Sequence, residues 1–276
     1  MSLLVLLHPG AMGATVGATL RAGGHRVRWV AAGRSEATAR RAAAAGLEAC
    51  TDLSSALQGA HGVVSVCPPD QASAVAAAVE EAGFDGLYVD ANAIAPATAR
   101  SLQARFGERL VDGGIIGPPA QRPGTTRLYL SGAAADAVAA WFRAGPLEAV
   151  ALADRPAGAA SALKMAYAAY TKGSAALLLA VRALAEHEGV AAALTEEWGL
   201  SQPGLAERCS AAARGTAPKA WRFVGEMQEI ADTFAAAELP RGFHEAAADV
   251  YRRLAGFRDA EAAPDAVIRR LLDGSG

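Results

Sequence analysis

Over its first half the chain alternates short apolar runs with Ala-rich amphipathic stretches, and then the apolar runs stop. Leu3–Leu7 is unbroken apolar and ends at His8-Pro9-Gly10, the mark of a buried strand followed by a tight turn. A helical spacing covers about residues 12–22, residues 26–31 predict a second strand, and residues 36–45 a second helix. Residues 62–67 and 86–90 read as further strands. Each leads into a helix whose start is marked by small polar residues or proline, Asp70 and Ser73 in one and Pro96 in the other. Leu110–Ile116 and residues 127–130 flank a turn-rich segment, 118–126, and predict a hairpin-like addition to the sheet. Strands that alternate with helices imply an α/β fold on a doubly wound, mostly parallel sheet.

Past Pro156 the pattern changes. One helical periodicity without proline runs from residue 157 to about 187, and no strand signal returns. Ala-rich helices follow, broken near residues 201–203, 215–218, 239–242 and 263–264. The expectation is an α/β domain over residues 1–155 and an all-α domain over residues 156–276, joined by one long interdomain helix.

Composition removes several function classes. A length of 276 residues, 52% of them hydrophobic, is enough for two modest cores. A net charge of -2 with no basic run speaks against a nucleic-acid surface. No apolar stretch approaches the ~18 residues that span a bilayer, and the N-terminal run is too short, and lacks the positive flank, for a secretory signal. Cys50, Cys67 and Cys209 are far apart and odd in number, and the five His show no ligand spacing, so neither a disulfide framework nor a metal site is expected. These features predict a cytoplasmic protein with reduced thiols. Nearly all its basic residues are Arg. The three lysines, Lys164, Lys172 and Lys219, therefore stand out as candidates for chemistry that Arg, always protonated, cannot do.

His8-Pro9-Gly10-Ala11-Met12-Gly13 lies between a strand and a helix. Against the dinucleotide pattern G-x-G-x-x-G, Gly10 and Gly13 match and His8 stands at the first glycine. Gly10 lets the backbone approach a pyrophosphate, Gly13 lets helix and strand pack closely, and the amides around Ala11 and Met12 face the anion. NAD-preferring sites carry Asp or Glu at the end of the second strand. Here Ala31-Ala32-Gly33-Arg34-Ser35 holds no carboxylate before Glu36, which predicts NADP(H), with Arg34 and Ser35 gripping the 2′-phosphate. The competing reading is a solvated Arg34 and a helix-capping Ser35.

Together these residues resemble the β-hydroxyacid dehydrogenase and 6-phosphogluconate dehydrogenase superfamily. H-P-G-A-M-G is similar to its G-x-G-x-M-G turn. Val64-Ser65-Val66-Cys67-Pro68-Pro69 looks like its fourth strand and cofactor loop. Val89-Asp90-Ala91-Asn92-Ala93-Ile94-Ala95-Pro96 resembles its D-x-S-T-x-x-P segment, with Asn92 near the Ser position. Leu163-Lys164-Met165 falls where the superfamily keeps its catalytic Lys. Trp221–Met227 through His244 looks like a subgroup with a phosphogluconate-dehydrogenase-like C-terminal domain of poorly defined substrate. The resemblance implies a Rossmann-type cofactor domain, cofactor contacts at Cys67, Pro68, Pro69 and Asn92, a small-molecule substrate and a homodimer. It also shows departures. The substrate loop D-x-P-V-S-G-G appears as Asp112-Gly113-Gly114-Ile115-Ile116-Gly117-Pro118, placing Ile116, Gly117 and Pro118 where substrate is bound but without the Ser. The Asn four residues past the Lys is Ala168, and the acid seven past it is Thr171. These losses speak against 6-phosphogluconate and simple 3-hydroxyisobutyrate-like acids.

Read without the resemblance, Lys164 is still unusual, lying in the apolar setting Leu163-Lys164-Met165-Ala166 on a helix expected to be buried between domains. Desolvation there favours a neutral amine, able to give or take a proton. Lys164, Tyr167, Thr171 and Ser174 recur at helical spacing as one polar stripe on a helix otherwise Ala, Leu and Met. The competing reading is a Lys whose stem packs on the first domain. Farther on, Glu226, Glu229 and Thr233 share a face that reads more readily as a solvated or interface surface than as a pocket wall; Trp221 and His244 carry no assignment. The function expected is an NADP(H)-dependent dehydrogenase or reductase acting on a small hydroxy acid or alcohol and its keto form, with Lys164 as general acid–base helped by Tyr167 and Thr171. Imine reduction on the same fold and a cofactor-binding regulator without turnover are the competing functions.

Overall fold

The computed structural model describes residues 1–258 and 260–274. The chain divides into two compact units, Met1–Lys164 and Met165–Gly276. In the first, β1 (Leu3–Leu7), β2 (Arg26–Val30), β3 (Glu48–Cys50), β4 (Gly62–Ser65), β5 (Leu87–Asp90) and β6 (Leu110–Ile116) run parallel. β7 (Thr126–Ser131) turns back antiparallel to β6, and β8 (Leu147–Ala151) pairs parallel to β7, giving the order β3-β2-β1-β4-β5-β6-β7-β8. The helices between them are α1 (Ala11–Ala22), α2 (Glu36–Ala44), α3 (Leu53–Leu57), α4 (Ala72–Glu81), α5 (Pro96–Phe106) and α6 (Ala135–Ala139).

Both faces of the sheet are covered because successive side chains of each strand point opposite ways. Leu4 and Leu6 of β1 join Val16 and Leu20 of α1 in one core, while Val5 and Leu7 join Tyr88, Leu102 and Phe106 in the other. The hairpin-like return of β7 on β6 follows the sequence expectation. β3 and β8 extend the sheet beyond it, at the two edges. Each outermost pair of strands carries an ion pair, Arg26–Glu48 across β2 and β3 and Arg127–Glu148 across β7 and β8.

The 29-residue helix α7 (Ala159–His187) starts on β6. Its first turn leaves backbone amides that need acceptors. The buried Asp112 carboxylate takes Gly158 N at 2.8 Å and Ser161 N at 2.9 Å and also accepts from the Ser161 hydroxyl. Ser131 Oγ takes Ala160 N at 3.0 Å and donates to Asp112 Oδ2 at 3.0 Å. A carboxylate at this end of a helix also meets the favourable end of its dipole. The approach is close: a Cβ on Gly114 would fall 2.7 Å from the Ala160 carbonyl oxygen and 3.0 Å from Lys164 Cβ.

The second unit is helical: α7 from Met165 onward, α8 (Ala191–Ser201), α9 (Leu205–Thr216), α10 (Ala220–Ala236), α11 (Gly242–Arg253) and α12 (Pro264–Leu272). Phe223, Met227 and Ile230, four and three residues apart, form the buried stripe of α10, and Phe223 meets the Tyr251 ring of α11 edge-on at 5.3 Å. Among the described residues no helix is long and apolar enough to cross a membrane.

Replacing Asp112 by Ala leaves buried amides and hydroxyls without their acceptor. The expected cost is about 3 kcal/mol, read as a lower urea midpoint, with Asp112→Asn intermediate.

Candidate functional site

The turn after β1 is built around one residue in an unusual conformation. His8 has φ +66°, the left-handed region that favours glycine, so its backbone does the work of the first glycine in the dinucleotide pattern. Its carbonyl accepts from Gly10 N at 2.7 Å and closes the turn. Gly13 is required by packing, since a Cβ there would lie 2.3 Å from the His8 oxygen. Gly10 differs. Its φ is -67° and nothing lies within 4 Å of the Cβ position, so neither backbone nor packing asks for glycine. What a side chain would block there is the open space before the α1 N-terminus, whose amides have no side-chain cap and no acidic residue in the first turn. Ala11 is exposed and Met12 half-buried at this mouth.

Arg34 follows β2, fully at the surface, with no ion pair or side-chain hydrogen bond among the described residues. Ser35 caps α2, its Oγ accepting Thr38 N at 3.3 Å and lying 3.1 Å from Thr38 Oγ1. The capping that the sequence offered as the competing reading of Ser35 is therefore present. His8 is half-buried; burial first, and then the nearby Arg34 charge, hold its imidazolium pKa down at about 4.

Past β4 and β5 a buried network joins two loops. Asn92 Oδ1 accepts Cys67 N at 2.5 Å, Asn92 Nδ2 donates to Asp90 Oδ2 at 2.8 Å and Ser65 Oγ at 3.2 Å, and Asn92 N donates to Asp90 Oδ1 at 3.1 Å. The side chain of Asn92 is thus spent inside the protein. Its acceptor holds the loop of Cys67, Pro68 and Pro69, where Cys67 and Pro69 are half-buried and Pro68 exposed. Burial pushes the Asp90 carboxyl up to about 7, against the hydrogen bonds from Asn92. Burial also pushes the Cys67 thiol up to about 11, against a hydrogen bond from Ser65.

Ile116 ends β6 half-buried, and Gly117 and Pro118 open the exposed loop beyond it. The Pro118 carbonyl accepts from Thr126 Oγ1 at 2.6 Å, and Ala120 N donates to Thr15 Oγ1 of α1 at 3.1 Å. The loop is thereby fastened to α1, the helix that follows the Gly10 turn.

Lys164 is half-buried on α7, held one turn past the Asp112 anchor by the Gly114 approach. Tyr167 is 49% exposed, Ser174 is half-buried, and Thr171 is exposed and donates to the Tyr167 carbonyl at 3.1 Å. The expectation of one polar stripe on an otherwise buried helix needs correction. Leu163, Tyr167, Tyr170, Leu177, Val181 and Leu184 are all exposed. With Ser174 they recur at alternating steps of four and three residues, a 3.5-residue repeat to which Tyr167 and Ser174 both belong.

The Glu226 expectation is corrected too. Glu226 is not on a solvated face but pairs with Lys172 of α7, both side chains mostly buried at 13% and 15% exposure. Lys172 Nζ lies 4.6 Å over the Phe223 ring, and its carbonyl accepts from Tyr251 Oη at 2.8 Å. The scarcity of lysine that pointed to Lys164 pointed equally to Lys172. Glu229 is half-buried, and its carbonyl accepts from Thr233 Oγ1 at 2.7 Å. His244 is 7% exposed, its Nδ1 buried without a partner. It lines a cavity of about 460 Å³ within the second unit, together with Ala166, Ala169, Tyr170, Phe234, Pro240 and Phe243. A lone His in a helical stretch gave no sign of this. Among the described residues no cluster of His, Cys, Asp and Glu can hold a metal ion.

Residues 185–254 match the family described as a domain of unknown function, DUF1932. Solved structures share the fold over the whole chain. One is a conserved protein of unknown function described as structurally similar to 3-hydroxyacid dehydrogenases, at 25% identity and TM-score 0.64, covering 98% of this chain and 96% of that one. The 3-hydroxyisobutyrate dehydrogenase of Mycobacterium tuberculosis, solved with L-serine, is similar at 21% identity and TM-score 0.72, over 98% and 99% of the two chains. A reductive aminase from Aspergillus terreus, solved with NADPH4, cyclohexanone and allyl amine, is similar at 18% identity and TM-score 0.53, over 99% and 98%. No curated protein matches the sequence.

The two glycines separate by experiment. Gly13→Ala should lower stability by about 2 kcal/mol through the clash with His8, whereas Gly10→Ala should stay within about 0.5 kcal/mol of the parent in urea denaturation.

Proposed function

We propose that the chain, whose fold is shared with a 3-hydroxyisobutyrate dehydrogenase and with a protein described as similar to 3-hydroxyacid dehydrogenases, is an NADP(H)-dependent oxidoreductase interconverting a hydroxyl, in a small hydroxy acid or alcohol, and its keto form. The observation that carries the reading is Gly10: a glycine that folding does not require, facing open space at an uncapped helix N-terminus. Backbone that must come within contact of a diphosphate needs that space. The residues fit the cofactor in two further respects. His8 Nδ1 is buried without a protein partner, and Arg34 stands without a carboxylate beside it where a 2′-phosphate would be gripped.

When bound, the nicotinamide supplies or accepts the hydride. The chain provides the rest. Gly10, Ala11, Met12 and Gly13 hold the diphosphate, Arg34 and Ser35 the 2′-phosphate, and the loop of Cys67, Pro68 and Pro69, braced by Asn92, borders the dinucleotide. Lys164 gives or takes the proton on the substrate oxygen, a role open to an amine and closed to the guanidinium that this chain uses elsewhere. The Tyr167 hydroxyl hydrogen-bonds the same oxygen. Thr171 donates to the helix and keeps its lone pairs for that stripe. Ile116, Gly117 and Pro118 border the substrate, with an aliphatic side chain where an acid-binding hydroxyl would stand. Imine reduction is the second reading, favoured by the likeness to a reductive aminase.

The exposed row on α7 supports a homodimer. A 3.5-residue repeat of large apolar side chains is the seam by which two such helices pack, and a second copy of the same row is its self-complementary partner.

Lys164→Ala should lose about 10²–10⁴-fold in turnover while NADPH binding persists; retained turnover removes Lys164 from the chemistry. Titration of both cofactors tests the specificity, and equal or tighter binding of NADH overturns it. A panel of keto acids, aldehydes and cyclic imines separates carbonyl from imine reduction. For the dimer, Leu177→Glu with Leu184→Glu should convert the protein to a monomer in light scattering; an unchanged mass overturns that interface.

A further inference from the structure

We infer that His8 is a specificity-determining residue of the cofactor site, its imidazole contacting the 2′-phosphate together with Arg34. The inference rests on the NADP(H) reading above and adds a residue to it.

Two features of His8 have no explanation in folding. Its backbone sits at φ +66°, where glycine is free of strain and a side chain is not, yet the chain places one of its five histidines there. The ring gains nothing from the protein in return: Nδ1 is buried and has no hydrogen-bond partner, which leaves Nε2 as its outlet to a ligand. Backbone strain of this kind persists where something repays it, and the strained residue here lies in the turn that closes on Gly10.

The surroundings select the ligand. His8 follows β1 and Arg34 follows β2, adjacent parallel strands that bring both residues to the same edge of the sheet. Arg34 is the charged group that acts on the ring. A cation beside an imidazole, with no carboxylate in the first turn of α1 and none before Glu36 on the other side, lacks an anion. A phosphomonoester supplies it. Arg34 takes two of its oxygens, and the neutral imidazole, carrying its proton on Nε2, donates to the third. A ribose 2′-hydroxyl gives the ring no such partner, so the contact discriminates NADPH from NADH.

The test measures binding to the protein without turnover. Adenosine 2′,5′-bisphosphate, AMP, NADPH and NADH are titrated by calorimetry into the parent, His8→Gly, His8→Asn and Arg34→Ala. His8→Gly should be at least as stable as the parent, because glycine accepts the turn, so weaker binding by that variant is not a folding defect. The parent should prefer the 2′-phosphorylated ligands. Both His8 variants should lose about tenfold in affinity for them, the equivalent of one charge-assisted hydrogen bond, and change less than about twofold toward AMP and NADH. In ¹⁵N-labelled protein the imidazole nitrogens missing from His8→Asn should move to the pattern of the Nε2-protonated neutral tautomer, with its Nε2 signal shifted by the bisphosphate and not by AMP. A parent that prefers NADPH alongside His8 variants that keep the whole preference overturns the inference and spares the NADP(H) reading. A parent with no preference overturns that reading, and the inference with it.

Discussion

A single buried carboxylate decides where the longest helix begins. Asp112 lies buried within the sheet, and its carboxylate accepts from backbone amides and hydroxyls of the α7 first turn and of β7, with no ion pair among the described residues. An ion buried this way is costly unless nearly all its lone pairs are used, so the arrangement tolerates little displacement. The helix start is bound to a fixed register of β6. The adjoining glycine then lets the helix lie against the strand, and Lys164 emerges at a defined place one turn later. A long flexible side chain gains precision from a rigid origin.

The other chemical groups of the first unit share one placement. His8 and Gly10, Arg34, Cys67 and Asn92 follow β1, β2, β4 and β5, all at the carboxyl ends of parallel strands, the edge where open α/β sheets receive ligands. They differ in how much of each is left for a ligand. Asn92 is used up by Ser65, Asp90 and Cys67, and positions a loop; Gly10 and Arg34 keep their faces open.

How far the sequence foretold this depends on the range of each interaction. Strands β1, β4 and β5 announced themselves because a strand buried on both faces must be apolar throughout, and the α10 stripe because helical spacing is local. β3 is three residues long and β8 is an Ala-rich segment, so neither carries a run that differs from its surroundings. The capping of α7 joins Asp112 to amides 46 and 49 residues away, and the ion pair of Glu226 joins residues 54 apart. No local pattern encodes such a partner. The turn glycines were legible, but not that one serves packing and the other open space; that division needs the position of the His8 carbonyl. Burial of α7 was misjudged for a related reason, since Leu and Tyr at a 3.5-residue step look the same whether a core or a free surface receives them.

The two ion pairs at the ends of the sheet bear on how copies of this chain meet in a crowded cell. An edge strand with free amides and carbonyls invites pairing with any other edge, a route to disordered aggregates. At one end the outer strand is three residues long and bears Glu48; at the other, Glu148 stands on β8 directly opposite Arg127. Charged groups with ordered counterions obstruct strand addition at both margins. Self-recognition is thereby kept off the backbone and left to side chains, which can be told apart from those of strangers.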